Sequence, residues 1–141
     1  MHFVKWQACG NDFVFVNGLE ENLEEVTKHT KEICDRHFGI GADGIIFILP
    51  SHKADLKMRI FNSDGSEAEM CGNGIRAFAK WAMELGLVKN HKISVETGAG
   101  ILYPEVLDNG LVRVDMGKPH LSASEIPSVG FSDGPVIDKT L

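Results

Sequence analysis

Cys71 stands in Glu69-Met70-Cys71-Gly72-Asn73-Gly74-Ile75-Arg76, where a polar turn gives way to an apolar helical pattern. A thiol placed there meets the start of a helix. Backbone N–H groups at that point have no intrahelical partner, and the peptide dipoles sum to about half a positive charge. Such surroundings favour the thiolate, the form of cysteine that acts as base or nucleophile. Gly72 and Gly74 let a small molecule come close to the backbone. The N–H groups of Gly72, Asn73 and Gly74 would form a cradle for an anion such as a carboxylate. A thiolate beside that cradle suits removal of a proton from the carbon next to the carboxylate. The bland alternative is a small buried hydrophobe, the usual state of a free cysteine. The glycines at the helix start, with Asn62 upstream, weigh against it.

Other residues carry weaker signals. Cys9-Gly10-Asn11 echoes Cys71-Gly72-Asn73, but it falls on a strand-to-turn segment where nothing activates a thiol. Cys34 falls on the apolar face of a helical pattern and reads as core. Gly39-Ile40-Gly41-Ala42-Asp43-Gly44 is a formal G-x-G-x-x-G, with Asp64 downstream as an acidic partner. A dinucleotide fingerprint follows a strand and opens a helix, whereas here a helix precedes and a strand follows. Cys9, Cys34, His37 and Cys71 contain no C-x-x-C pair to support zinc, so no metal site is expected. His37 reads as a helix C-terminal cap or a packed side chain.

The elements that must hold Cys71 can be read from periodicity. His2 to Gln7 and Asp12 to Asn17 read as strands around Gly10-Asn11. Residues 22–37 read as one helix, capped by Asn22 with Glu25 in a capping box and stopped at Gly39. Ile45 to Leu49 reads as a buried strand, and Leu56 to Phe61 as an alternating one. Asn62-Ser63-Asp64-Gly65 is a turn signal. Asn73 to Leu85 reads as a helix apolar around much of its circumference, hence buried on several sides, and ended by Gly86. Ile93 to Glu96, Gly100 to Leu107 and Leu111 to Met116 read as strands, the last two joined at Asp108-Asn109-Gly110. Pro119, Pro127 and Pro135 punctuate a linker-like tail. The expected fold is α+β, a curved or barrel-like sheet of six or seven strands around a buried helix.

Composition narrows the function. The 141 residues are 43% apolar and 24% charged, which is ordinary for a globular chain. With 14 Lys+Arg against 20 Asp+Glu and no basic block, no nucleic-acid footprint is present. No apolar run reaches the length of a membrane span, and the N-terminus lacks the order of a signal peptide. Three scattered cysteines suit reduced thiols in the cytoplasm.

Four blocks in order carry a resemblance. They are Lys5 to Val16 around Gly10-Asn11-Asp12-Phe13, Arg36-His37-Phe38-Gly39-Ile40-Gly41-Ala42-Asp43-Gly44, Ile60-Phe61-Asn62-Ser63-Asp64-Gly65-Ser66, and Met70-Cys71-Gly72-Asn73-Gly74. Together they resemble the diaminopimelate epimerases over roughly residues 1–118. The resemblance implies an antiparallel barrel-like sheet around a central helix, one half of a pseudo-symmetric two-domain fold. It implies inversion of an amino-acid stereocentre by two cysteines, LL- to meso-diaminopimelate, with no pyridoxal phosphate, metal or other cofactor. By position, Cys71 matches one catalytic cysteine, Asn11 and Asn62 match substrate-binding asparagines, and Gly72 and Asn73 match backbone donors to the substrate's carboxylate and amino end.

The departures shape further expectations. The second catalytic cysteine and the strand that returns to complete the first domain belong to later sequence in the family. The chain therefore reads as an N-terminal half over 1–118 followed by a linker or the start of the second domain over 119–141, and its partners would be the C-terminal domain, a small amino-acid substrate and, through the unpaired edge, a second copy. Some members carry a substrate-contacting glutamine at the position of Gly44, which has no side chain for that task. Ala8-Cys9 departs from the usual pair before Gly-Asn-Asp. The competing readings are an epimerase or racemase for another amino acid, a non-catalytic half-domain that binds a carboxylate or a partner, and a thiol redox protein.

Overall fold

The computed structural model describes residues 1–126, 128–131 and 134–137; Pro127 and Leu141, within the segment read as a linker, lie outside the described residues. The chain opens with a hairpin of β1 (Val4–Ala8) and β2 (Asn11–Asn17). Two short helices, α1 (Leu23–Lys28) and α2 (Thr30–Cys34), cross over to β3 (Gly44–Leu49), which lies parallel to β2. β4 (Leu56–Asn62) returns antiparallel to β3, and the short β5 (Glu67–Ala68) folds back on it. The long helix α3 (Gly72–Glu84) then crosses to β6 (Val95–Thr97), parallel to β4 and paired with β7 (Gly100–Leu102). A separate hairpin, β8 (Glu105–Val106) and β9 (Val112–Arg113), follows.

The large sheet has seven strands, running β1-β2-β3-β4-β6-β7 with β5 on β4. Both faces are covered, which is why Phe13 to Val16 of β2 and Ile45 to Leu49 of β3 are apolar without alternation. On one face Val14, Val16, Ile45, Phe47 and Phe61 pack with Val26 of α1 and Cys34 of α2. On the other Phe13, Phe15, Ile46, Met58 and Ile60 pack with Ile75, Phe78, Trp81 and Ala82 of α3. Each large side chain so buried contributes about 1.5–3 kcal/mol relative to exposure. The β8–β9 hairpin packs on α3 in turn. Of the thirteen residues of α3, Glu84 alone is fully exposed. The apolar circumference of this helix therefore has its expected cause. Its end is also as read: Gly86 N–H bonds Met83 C=O and Leu87 N–H bonds Ala82 C=O, a Schellman closure.

Several expectations are corrected. The sheet is mixed rather than antiparallel, because helices join β2 to β3 and β4 to β6, and a crossover of that kind delivers a parallel neighbour. The helix expected over 22–37 is two helices that meet at His29, where φ is −106° and ψ 18°. Asn22 caps the first through a bond from Glu25 N–H, but the second ends at Asp35, well short of Gly39. Asp35 Oδ1 accepts the N–H groups of His37 and Phe38 at 2.7 Å, so His37 lies beyond the helix, exposed, and caps nothing. The run Gly100 to Leu107 is interrupted at the buried Pro104 and contributes to two sheets. Its hairpin partner shrinks to Val112–Arg113.

Candidate active site

The turn after β4 aims the chain at Cys71. Asn62 C=O accepts Gly65 N–H at 2.9 Å, and Asn62 Nδ2 donates to Ser66 Oγ at 3.0 Å. β5 then returns along β4 and hands the chain to α3. Cys71, with φ −141° and ψ 118°, is the N-cap, and its Sγ accepts Gly74 N–H at 3.3 Å. The sulfur thus takes the place that a serine or aspartate oxygen holds at most helix starts. A Cβ at position 74 would lie 2.7 Å from Ile46 Cδ1, so a residue larger than glycine there requires the end of that side chain to shift.

Asn11 begins β2, Gly44 begins the parallel β3, and Asn62 ends the antiparallel β4 opposite Gly44. All three therefore sit at one end of the sheet. The α3 N-terminus joins them there, since Cys71 Sγ lies 3.4 Å from Asn11 Oδ1, to which the thiol donates. Asn11 Nδ2 in turn donates to Asp43 Oδ2 at 2.7 Å. That oxygen also accepts Asp12 N–H at 3.1 Å, and Asp43 Oδ1 accepts Arg36 at 2.7 Å. Arg36 makes a second pair with Asp12 at 2.7 Å, and Lys5 lies 3.1 Å from the same carboxylate. The Arg36 guanidinium, with Lys5, holds the Asp12 carboxyl far below the usual carboxylate range, outweighing its partial burial. The Asn11 amide, with Asp12 N–H and Arg36, lowers the Asp43 carboxyl as well.

The structure thus brings Cys71 and Asn11 into contact and places Asn62 at the same end of the sheet. Gly72 and Asn73 form the first turn of α3, where their N–H groups have no intrahelical acceptor. The expected cradle of three N–H groups is corrected to two, because the sulfur takes Gly74 N–H. The Asn73 side chain turns along the helix, its Oδ1 accepting Arg76 Nη1 at 3.1 Å. Sequence reasoning missed the group formed by Lys5, Asp12, Arg36 and Asp43. The available signal was one cation and one carboxylate, Arg36 and Asp43, flanking Gly39 and Gly41. Gly44 packs against the Phe61 carbonyl, leaving a side chain no room without movement. Among the described residues, no three His, Cys, Asp or Glu side chains converge as for a metal, and no helix is long and apolar enough to cross a membrane.

The other thiols differ in setting. Cys34 is buried, and burial pushes its thiol up. Cys9 is exposed and has φ +56° beside Gly10 at +82°, the two central residues of a tight hairpin turn. Most residues with a Cβ are strained there by about 1–2 kcal/mol, and asparagine less so because its short amide side chain hydrogen-bonds locally. Cys9→Asn should therefore raise the unfolding free energy by about 1 kcal/mol. Urea denaturation checks this, with a loss of stability counting against the strained turn.

The family model for diaminopimelate epimerase matches residues 3–122. A diaminopimelate epimerase of Moorella thermoacetica is 51% identical over 146 residues, covering 100% of this chain and 52% of its own. One of Pelotomaculum thermopropionicum is 54% identical over 136 residues, covering 92% of this chain and 49% of its own. A phenazine biosynthesis protein of the PhzF family from Bacillus anthracis shares the fold with a TM-score of 0.59 and 27% identity, over 80% of this chain and 38% of that one. The chain spans about half the length of the curated relatives it matches. A match over residues 3–122, with relatives at half identity across the chain, makes this chain a member of the diaminopimelate epimerase family.

Proposed function

We propose that the chain is the Cys71-bearing half of an epimerase that interconverts LL- and meso-diaminopimelate. The observation that carries this reading is the Cys71 sulfur at the α3 N-cap, bonded to Asn11, with the N–H groups of Gly72 and Asn73 beside it. Those two N–H groups and the helix dipole would hold the α-carboxylate. Asn11 and Asn62 would orient the rest of the bound amino acid. With the carboxylate held, Cys71 would face the α-carbon from one side. A cysteine of the second half would face it from the other. In one direction the thiolate of one cysteine takes the α-hydrogen as a proton, and the thiol of the other delivers a proton to the opposite face. The sulfur that took the proton becomes the thiol and the donor becomes the thiolate, so charge and atoms balance. The carbanion between the two steps is stabilised by the donors on the carboxylate and by exclusion of water. No pyridoxal phosphate, metal or other cofactor is required.

In this reading residues 1–118 are the half-domain and 119–141 the link to the second or its start. A strand from that second half would pair with the free edge of β1 and close the sheet toward a barrel. The free thiols suit the reducing cytoplasm.

In deuterium oxide the full-length protein should place solvent deuterium at an α-carbon of LL-diaminopimelate as meso product forms, read by mass spectrometry. Deuterium on another amino acid, and none on this one, would favour the epimerase or racemase of different specificity. No exchange with any amino acid would favour a binding half-domain.

A further inference from the structure

We propose that Asp43 is a positioning residue: it fixes which way the Asn11 amide faces, and so makes Cys71 present a proton rather than a bare sulfur to that amide in the empty site. The orientation follows from which groups can donate. An ionised carboxylate only accepts hydrogen bonds. The edge of Asn11 that meets Asp43 Oδ2 at 2.7 Å must therefore be its NH₂, at the short separation of a charge-assisted bond. The opposite edge, Oδ1, then faces Cys71 Sγ at 3.4 Å. A carbonyl oxygen only accepts, so this contact is a bond only while the sulfur carries its proton.

Asp43 cannot swivel to relax the constraint. Its Oδ2 also accepts Asp12 N–H at 3.1 Å, and its Oδ1 accepts Arg36 at 2.7 Å. Asn11 is the first residue of β2, held in register opposite Ala8. Turning the amide over would offer an N–H to a Cys71 thiolate, but it would set the amide oxygen against the Asp43 carboxylate. The Gly74 N–H, at 3.3 Å from the same sulfur, stays a donor in either protonation state. The switch between them therefore lies with Asn11, and Asp43 biases it. The inference rests on the proposed function for its consequence alone: in the empty site this half is poised as the acid, and substrate contacts with Asn11 are needed before it serves as the base.

Asp43→Asn tests this in the full-length protein. The new amide has one acceptor edge, but Arg36 needs an acceptor on one side while Asn11 and Asp12 need one on the other. When its NH₂ meets Asn11, that amide must turn and donate to the sulfur. Iodoacetamide labelling of Cys71 at pH 7, mapped by peptide mass, should then run about 5–10-fold faster. Labelling of the buried Cys34 should not change, whereas a loosened fold would raise both. The acceleration should shrink to less than about 2-fold when Asp43→Asn is introduced into an Asn11→Ala background, because the relay is gone. In turnover, kcat should fall by about 10-fold with KM changed by less than about 3-fold. Unchanged Cys71 labelling, or the same acceleration with and without Asn11, overturns the proposal. If Asp43→Asn does not fold, the unmutated protein decides by nitrogen-15 NMR. Two distinct, slowly exchanging Asn11 side-chain protons support a fixed amide, and an averaged pair refutes it. An effect on labelling in a protein that performs no epimerisation would sink the functional reading and leave the positioning role standing.

Discussion

Cys71→Ser in the full-length protein should lower the epimerisation rate by about 10³-fold while the fold stays as stable as before. Serine is a preferred N-cap, so its oxygen can accept Gly74 N–H where the sulfur now does at 3.3 Å. It can also donate to Asn11 Oδ1 as the thiol does. What it cannot do is surrender its proton near neutral pH, and the proton transfer on that face fails. Cys71→Ala removes both functions and should also cost about 1 kcal/mol through the lost cap. Solvent-deuterium exchange gives the first number and urea unfolding the second. A serine variant within 10-fold of the parent rate would take Cys71 out of the chemistry. An alanine variant of unchanged stability would take it out of the cap.

Residues 1–141 by themselves should show no measurable epimerase activity, and adding the remaining half of the full-length protein should restore it. Inversion by two bases needs an acid and a base on opposite faces of one carbon, and in the proposed mechanism Cys71 would occupy only one face. Of the other thiols, Cys34 is buried between α2 and the sheet, and Cys9 sits strained and exposed in the β1–β2 turn. Neither is bonded to the Asn11 amide as Cys71 is. The second half would also expel water from the carbanion site. The edge of β1 away from β2 is the end of the sheet order, so the isolated half should associate with itself through it. An activity assay and a sizing run, each with and without the complementary half, read both effects. Turnover by 1–141 alone would overturn the two-half mechanism and direct the search for a second acid to Cys9 or to a dimer of halves.

Much of the candidate site was legible because it is local. A helix start at a thiol, a turn at Asn62 to Gly65 and a helix apolar on nearly every side depend on residues within a turn or two of one another, although the sulfur's capture of Gly74 N–H went unread. The hairpin at Asp108-Asn109-Gly110 was local in the same way, and Val106 does pair with Val112 across it. The two-helix break at His29 was not, since helical periodicity runs through it and both Val26 before the break and Cys34 after it are buried against the same face of the sheet. Nor was the parallel pairing of β2 with β3. That register is a property of the crossover, and it brings Asp43 to Asn11 across 32 residues of sequence. The sequence alone therefore determined which thiol stands at a helix start among glycines, because capping and turn chemistry act over a few bonds. Only the tertiary structure decided which way the Asn11 amide faces that thiol, because an amide's orientation is set by whichever acceptor the register of distant strands delivers to its other edge.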